Sequence, residues 1–272
     1  MAETRDGGKM KTLSAMAWRW LGRELDAWAD MGKSVNFWWR DDDATGPGGA
    51  LDRLVGLSYN WDAPLALAVI PSRLKPELVD FLRDRTLIAV LQHGYAHENH
   101  AAPGQRKLEL GGTRASAQSV ADLERGYRIL EQHFADRFKP VLVPPWNRID
   151  SQVVSCLSEI GFAGISTMKV RRNAYPAPGL LQVNTHLDPV NWRHQGGFIG
   201  IYPAIAILIQ HLQARRTGYR DIDEPTGILT HHLVQNEAVW RFLEDLLQFL
   251  SNHPAVNWLD AATIWKFSPS SL

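Results

Sequence analysis

Short runs of β-branched, aromatic and aliphatic residues alternate along this chain with segments of helical hydrophobic spacing, and that alternation leaves few folds open. Residues 35–40, 65–70, 87–91, 141–143, 164–166, 181–184 and 227–230 read as strands. Several are apolar throughout, as strands covered on both faces must be. Between them, residues 76–85, 116–134, 151–160, 204–215 and 237–250 read as helices, the first opening on Pro76 and the third capped by Ser151. Six or seven strand-helix units in 272 residues predict an α/β fold, a parallel barrel in preference to a doubly wound sheet. An N-terminal helix over about residues 11–31, with Leu13, Met16, Trp20, Leu21, Leu25 and Trp28 at helical spacing, is expected to pack on the body. No repeat or long Ser/Gly/Pro linker interrupts the chain, so residues 1–272 are expected to form a single domain.

Charge narrows the function. Twenty-nine Lys and Arg balance 29 Asp and Glu, which gives no basic face for nucleic acid or an anionic membrane. The longest nearly apolar run, residues 198–209, is too short to span a bilayer. Cys156 is the single cysteine and has no partner for an internal disulfide, and no signal-like apolar stretch opens the chain, so a cytoplasmic location is expected.

Chemistry gathers just after the strands, on the face where parallel α/β folds place their sites. Arg40-Asp41-Asp42-Asp43 follows Phe37-Trp38-Trp39. Adjacent carboxylates repel, so the triplet is either a solvated acidic turn or a place where a cation or a proton-accepting base is wanted. His93-Gly94-Tyr95-Ala96-His97 sets two imidazoles four residues apart, a spacing at which one helical turn aims both at one ion, with His100 a weaker third candidate. Gly94 stands where a zinc-protease helix would need its glutamate, so that motif is absent. Pro144-Pro145-Trp146-Asn147-Arg148 is a stiff turn whose indole either covers the core or offers a flat face to a sugar. The last two segments are His186-Leu187-Asp188-Pro189-Val190-Asn191-Trp192 and Thr230-His231-His232, in which a carboxylate could orient a histidine for acid–base work.

Taken in order, the acidic cluster, His-x-x-x-His, Pro-Pro-Trp, Asp-x-x-x-Trp and Leu-x-His resemble the five motifs of the polysaccharide deacetylase family, carbohydrate esterase family 4, over residues 38–232. The resemblance implies a distorted (β/α)7 barrel and a divalent-metal hydrolase that removes N- or O-acetyl groups from carbohydrates. It implies Asp43, His93 and His97 as metal ligands, with zinc first and cobalt, nickel or iron also suited to such a set. It implies Asp42 as catalytic base, with the register of base Asp41 and ligand Asp42 as the alternative. His231 becomes the acid that protonates the leaving group, Asp188 its orienting partner. Trp146, Asn147, Arg40, Trp192 and His232 are the candidate substrate contacts, and a backbone N–H near Ala44 or at Trp146 a candidate oxyanion donor.

Three departures mark a divergent branch. Gly94 replaces the family's Ser or Thr, Ala44 replaces its Gly, and Val143-Pro144 stands where its third motif often begins with Arg. The arginine that tunes the base therefore comes from elsewhere, Arg40 or Arg148. The expected partner is a carbohydrate or another small N- or O-acetylated substrate, with neither nucleic acid nor membrane involved and the oligomeric state open. Competing readings are an amidohydrolase of a non-sugar amide, a non-catalytic metal-containing carbohydrate-binding protein, and a metal-dependent phosphoesterase.

Overall fold

The computed structural model describes residues 3–194 and 197–267, with side chains from residue 14 onward apart from His194; the side chain of Leu13 thus lies outside the described residues. Strand β1 (Val35–Ala44) is the hub of an eight-stranded sheet. It pairs in parallel with β2 (Leu65–Val69), with β9 (Thr226–Thr230) and with the short β10 (Val256–Trp258). From β2 the parallel sheet continues through β3 (Ile88–His93), β4 (Phe138–Val143), β5 (Gly164–Ile165) and β6 (Leu181–Gln182).

The ring then closes without a regular strand. The chain leaving β6 makes a parallel bridge from Leu187 to Ile228 of β9, with His186 N–H donating to Gly227 O at 2.7 Å and Leu229 N–H to Leu187 O at 2.7 Å. Seven parallel segments (β1 to β6, then β9) therefore enclose the centre as a distorted (β/α)7 barrel, as expected. Gly227 is required at the closure: a Cβ there would lie 2.6 Å from Asn184 O and 2.5 Å from Trp38 Nε1.

Side chains alternate along β1 between two cores. Phe37 and Trp39 face outward into the main cluster under the helices, whereas Trp38 points into the barrel among Ala66, Ala68, Leu91, Val141, Val143 and Val183. Small alanines on β2 make room for the indole, which donates to Asn184 O at 3.1 Å and stacks edge-on against Trp265 at 5.5 Å. Burying an indole removes about 200 Å² from water, which stabilises the fold by roughly 5 kcal/mol at about 25 cal/mol per Å².

Helices α2 (Gly49–Asn60), α3 (Pro76–Leu82), α4 (Ser116–Phe134), α7 (Ile201–Arg216) and α8 (Glu237–Ser251) link the strands. The N-terminal helix α1 (Glu3–Asp30) packs on α7, but its buried line is Ala17, Leu21, Leu25 and Trp28, leaving Met16 and Trp20 each 37% exposed. Residues 151–160 form two short helices, α5 (Ser151–Val154) and α6 (Leu157–Ile160), and Asp150 rather than Ser151 is the N-cap residue. The helix α2, the hairpin of β7 (Val190–Asn191) with β8 (Gly197–Phe198), strand β10 and helix α9 (Ala261–Trp265) lie outside the elements read from sequence. No described helix is long and apolar enough to cross a membrane.

The acidic triplet departs most from expectation. It lies inside β1, whose pairing runs from Asp41 with Leu67 to Ala44 with Val69, three steps against two. The extra residue is a β-bulge, and Asp43 takes φ 73° there. Bulges re-aim side chains at barrel rims, and this one turns three successive carboxylates toward different partners.

Candidate metal centre

Asp43, His93 and His97 form a tight triad at the barrel mouth, their ligand-capable atoms all within 4.8 Å of one another. His93 ends β3, and its Nδ1 donates to Val143 O at 3.0 Å, which leaves the Nε2 lone pair facing Asp43 Oδ1 at 3.1 Å. His97 Nε2 lies 3.2 Å from the same oxygen. No helical turn joins the two histidines: Gly94 (φ 53°) and His97 (φ 58°) both adopt left-handed backbone, and the rings tilt at 42° toward a shared point. Metal bonds of about 2.1 Å at tetrahedral or octahedral angles put neighbouring ligand atoms about 3.0–3.4 Å apart, which these separations match. A backbone carbonyl fixing the far nitrogen is also what a metal-ligating imidazole needs. The residues therefore fit a divalent ion. With the rings protonated instead, burial would raise the Asp43 carboxyl, but the hydrogen bond from His93 and the charges of His93, His97 and His231 outweigh it and hold it well below the usual range, so that Asp43 is an anion in either state. His100 is not part of this group; its Nε2 meets Arg114 Nη1 at 3.2 Å.

Asp42 points away from the triad and is 2% exposed. Arg40, fully buried, donates from Nη2 to Asp42 Oδ2 at 3.0 Å, and its Nε sits 2.9 Å from Oδ1 as an ion pair without hydrogen-bond alignment. Arg40 Nη1 donates to Ser166 Oγ at 2.7 Å, and Nη2 also to Asn147 Oδ1 at 2.8 Å. Arg40, expected as a substrate contact, is thus enclosed: it holds the Asp42 carboxylate, and Asn147 holds Arg40. Arg148 takes no part, donating instead to Lys107 O at 3.0 Å.

His231 bridges the second half of the site, with Nε2 4.0 Å from Asp42 Oδ2 and Nδ1 3.8 Å from Asp188 Oδ2. Contacts of this length commonly tighten when substrate binds. Asp188 accepts from Trp192 Nε1 at 2.7 Å and from Val190 N–H at 2.9 Å. Burial pushes its carboxyl up against the lowering effect of His231 and these donors. Trp192 stands edge-on to His231 at 4.7 Å and is 53% exposed, while half-buried Trp146 lies 4.5 Å from the His97 ring. These two indoles wall the opening.

Asp41 and His232 form a separate buried pair. Asp41 Oδ1 lies 2.5 Å from His232 Nδ1, and Oδ2 accepts from Thr230 Oγ1 at 2.7 Å and His232 N–H at 3.0 Å. His232 is thus turned onto Asp41 instead of being a free substrate contact, and Asp41 accepts three hydrogen bonds where Asp42 keeps Oδ1 without one, which favours Asp42 as the base.

A second triad, His186, His211 and Glu224, also clusters within 4.8 Å, and its side chains are buried. Its stereochemistry is wrong for a metal. The rings stack at 3.6 Å and 22°, and nearly parallel imidazoles offer no common in-plane point about 2.1 Å from both nitrogens. Gly227 N–H donates to His186 Nδ1 at 3.0 Å, which places the proton of the neutral ring on Nε2, facing Glu224 Oε2 at 3.7 Å. This is a buried neutral histidine pair. Burial, with Arg215 and Arg171 nearby, pushes His186 down to about 3, and burial with the His186 and Arg215 charges pushes His211 to about 2. Below the ordinary pKa of about 6.5 the unfolded chain takes up protons that the folded state refuses. Stability contributed by the pair is therefore present above that pH and lost as pH falls, by up to about 1.4 kcal/mol per unit for each ring. Urea unfolding at about pH 7.5 and 5.5 is expected to show a shallower acid loss in His211→Leu than in wild type; equal slopes would mean that the pair does not titrate in this way.

No protein-family model matches the chain, and no curated protein matches it. Solved structures do. A Mycobacterium smegmatis protein named as a polysaccharide deacetylase is 18% identical with a TM-score of 0.62, over 86% of this chain and 90% of its own. A family 4 carbohydrate esterase from Streptomyces lividans, in complex with acetate, is 15% identical with a TM-score of 0.51, over 83% and 91%. A family 4 acetyl xylan esterase from Clostridium thermocellum, in complex with a cobalt ion, is 12% identical with a TM-score of 0.50, over 85% and 90%. At such identities the likeness is one of backbone, and it extends over most of each partner. The chain has the fold of the polysaccharide deacetylases of carbohydrate esterase family 4.

Proposed function

We propose that this chain is a metal-dependent hydrolase that removes an N- or O-linked acetyl group from a carbohydrate or a related small substrate. The observation that carries the reading is the convergence of the His93 and His97 Nε2 atoms on Asp43 Oδ1, beside an Asp42 that is ion-paired and independent of that triad. Asp43, His93 and His97 would hold a divalent ion, zinc before cobalt, nickel or iron, which would supply Lewis-acid polarisation of the acyl carbonyl and a lowered pKa for water. Asp42 takes the proton of the attacking water, and Arg40 keeps its carboxylate oriented. His231 gives a proton to the departing amine or alkoxide, with Asp188 behind its Nδ1 to steady the imidazolium. Water thus supplies the hydroxyl of acetate and the proton of the freed amine or alcohol. The Trp146 N–H is the candidate donor to the oxyanion, since Pro145 beside it has none.

Proton acceptor and proton donor lie 4.0 Å apart across one opening, an arrangement that favours a catalyst over a binding protein. A two-metal phosphoesterase finds no second centre in the stacked histidine pair. Trp146 and Trp192 at the mouth suit the apolar face of a sugar ring. The lone Cys156 fits a cytoplasmic setting, and a cytoplasmic setting fits a small substrate.

The reading is tested by acetate release from a panel of N- and O-acetylated sugars. Metal-loaded wild type is expected to release acetate, and His231→Ala to lose about 10²–10⁴-fold in turnover while unfolding normally. Loaded protein that releases no acetate, or a His231→Ala that turns over normally, contradicts it.

A further inference from the structure

We propose that Glu109 is a positioning residue, holding His97 at the metal centre by gathering the backbone N–H groups of the loop that carries it. The inference rests on His97 being a metal ligand and adds what keeps it in place. His97 is not held by a β-ladder or a helix: β3 ends at His93, and the chain then turns through Gly94 at φ 53° and His97 at φ 58°. A left-handed backbone at a non-glycine residue persists only where its surroundings over-determine it.

Glu109 supplies that determination. It is 2% exposed, and its Oε1 accepts from Ala96 N–H at 2.7 Å and from His97 N–H at 2.9 Å. Tyr95 N–H lies 3.4 Å from Oε1 and 3.3 Å from Oε2. Bonds from N–H groups to a buried carboxylate are roughly twice as strong as neutral ones, and these converge on the ligand residue and the two before it. The carboxylate is itself rooted. Leu110, 1% exposed, bridges to Ile149 in parallel and accepts from Asp150 N–H at 3.0 Å, while Asn99 Oδ1 accepts from Leu108 N–H at 3.0 Å.

Gly94 belongs to the same arrangement. A Cβ at that position would stand 2.0 Å from Glu109 Oε2 and 2.6 Å from Pro145 Cδ, so the glycine is the room the carboxylate occupies. The missing side chain after His93 and the buried acid at 109 are two halves of one device for fixing the loop.

Cobalt(II) affinity of the full chain, measured by chelator competition, separates positioning from bulk structure. Residues that orient metal ligands typically contribute 10–100-fold to affinity, so Glu109→Ala is expected to weaken binding by about 10–100-fold and to alter the visible absorption of the bound cobalt. Glu109→Gln keeps an acceptor oxygen toward Ala96 and His97 and is expected to stay within about fivefold of wild type. Amide exchange at Ala96 and His97 is expected to speed up in Glu109→Ala and stay slow in Glu109→Gln. If Glu109→Ala does not fold, Glu109→Asp, one methylene too short to reach both N–H groups, carries the same expectation. Cobalt affinity in Glu109→Ala or Glu109→Asp within about threefold of wild type, or a Gln variant as weak as these, overturns the proposal. Wild type that binds no cobalt removes the metal centre itself, and the two failures are thus distinct.

Discussion

Asp42→Asn is expected to lower kcat by about 10²–10⁴-fold while the chain still binds its divalent ion. Asparagine keeps the shape of the side chain and removes the proton acceptor. The metal triad is untouched, since Asp43, His93 and His97 contact one another and not Asp42. Arg40 keeps Ser166 Oγ and Asn147 Oδ1 as acceptors, so the buried guanidinium stays partly satisfied. Steady-state acetate release together with metal content checks both halves. Unchanged kcat would remove Asp42 from the role of base, and Asp41, closed in by Thr230 and His232, is no substitute.

The second large effect is expected at Arg40. Arg40→Met keeps an unbranched side chain of related length but strips Asp42 of its cation. Removing one partner of a buried ion pair costs about 3–5 kcal/mol because the other charge stays desolvated and unmatched. Both partners are almost completely enclosed, so solvent screening gives little relief. The double variant Arg40→Met/Asp42→Asn is expected to recover much of that loss, since it leaves no lone carboxylate. Urea denaturation of both single variants and the double closes the cycle. A single substitution costing under about 1 kcal/mol, or additive costs, would show that Asp42 does not depend on Arg40.

What the sequence revealed was mostly what neighbouring residues decide. Helix α4 falls where its apolar period places it, and the strands beginning near Leu65, Ile88 and Thr226 were legible because doubly covered strands are continuous apolar runs. The five polar segments lie at the barrel mouth because parallel strands deliver their C-terminal ends there. What the sequence hid depends on distant contacts. Three aspartates are poor strand formers, yet β1 runs through them because His232 and Thr230 meet Asp41, Arg40 meets Asp42, and His93 and His97 lie against Asp43. Helix α2 was obscured by the glycines before it, although Leu51, Leu54, Val55 and Ser58 form its buried face. Arg40 was read both as a substrate contact and as the arginine beside the base, and it is sealed inside against Asp42. Glu109 had no local signal, since it sits in an irregular loop 12 positions beyond the backbone it grips. His211 and Glu224, in a helix and a loop, gave no hint of the stacked pair they build with His186.

The central claim is that one three-residue metal centre carries acetyl hydrolysis. It is tested most directly by elemental analysis of purified wild type and Asp43→Ala, with acetate release measured on the same samples. The account predicts about one divalent ion per chain in wild type, lost together with acetate release in Asp43→Ala. Wild type that takes up no ion under any loading, or an Asp43→Ala that keeps both its ion and its turnover, would contradict it.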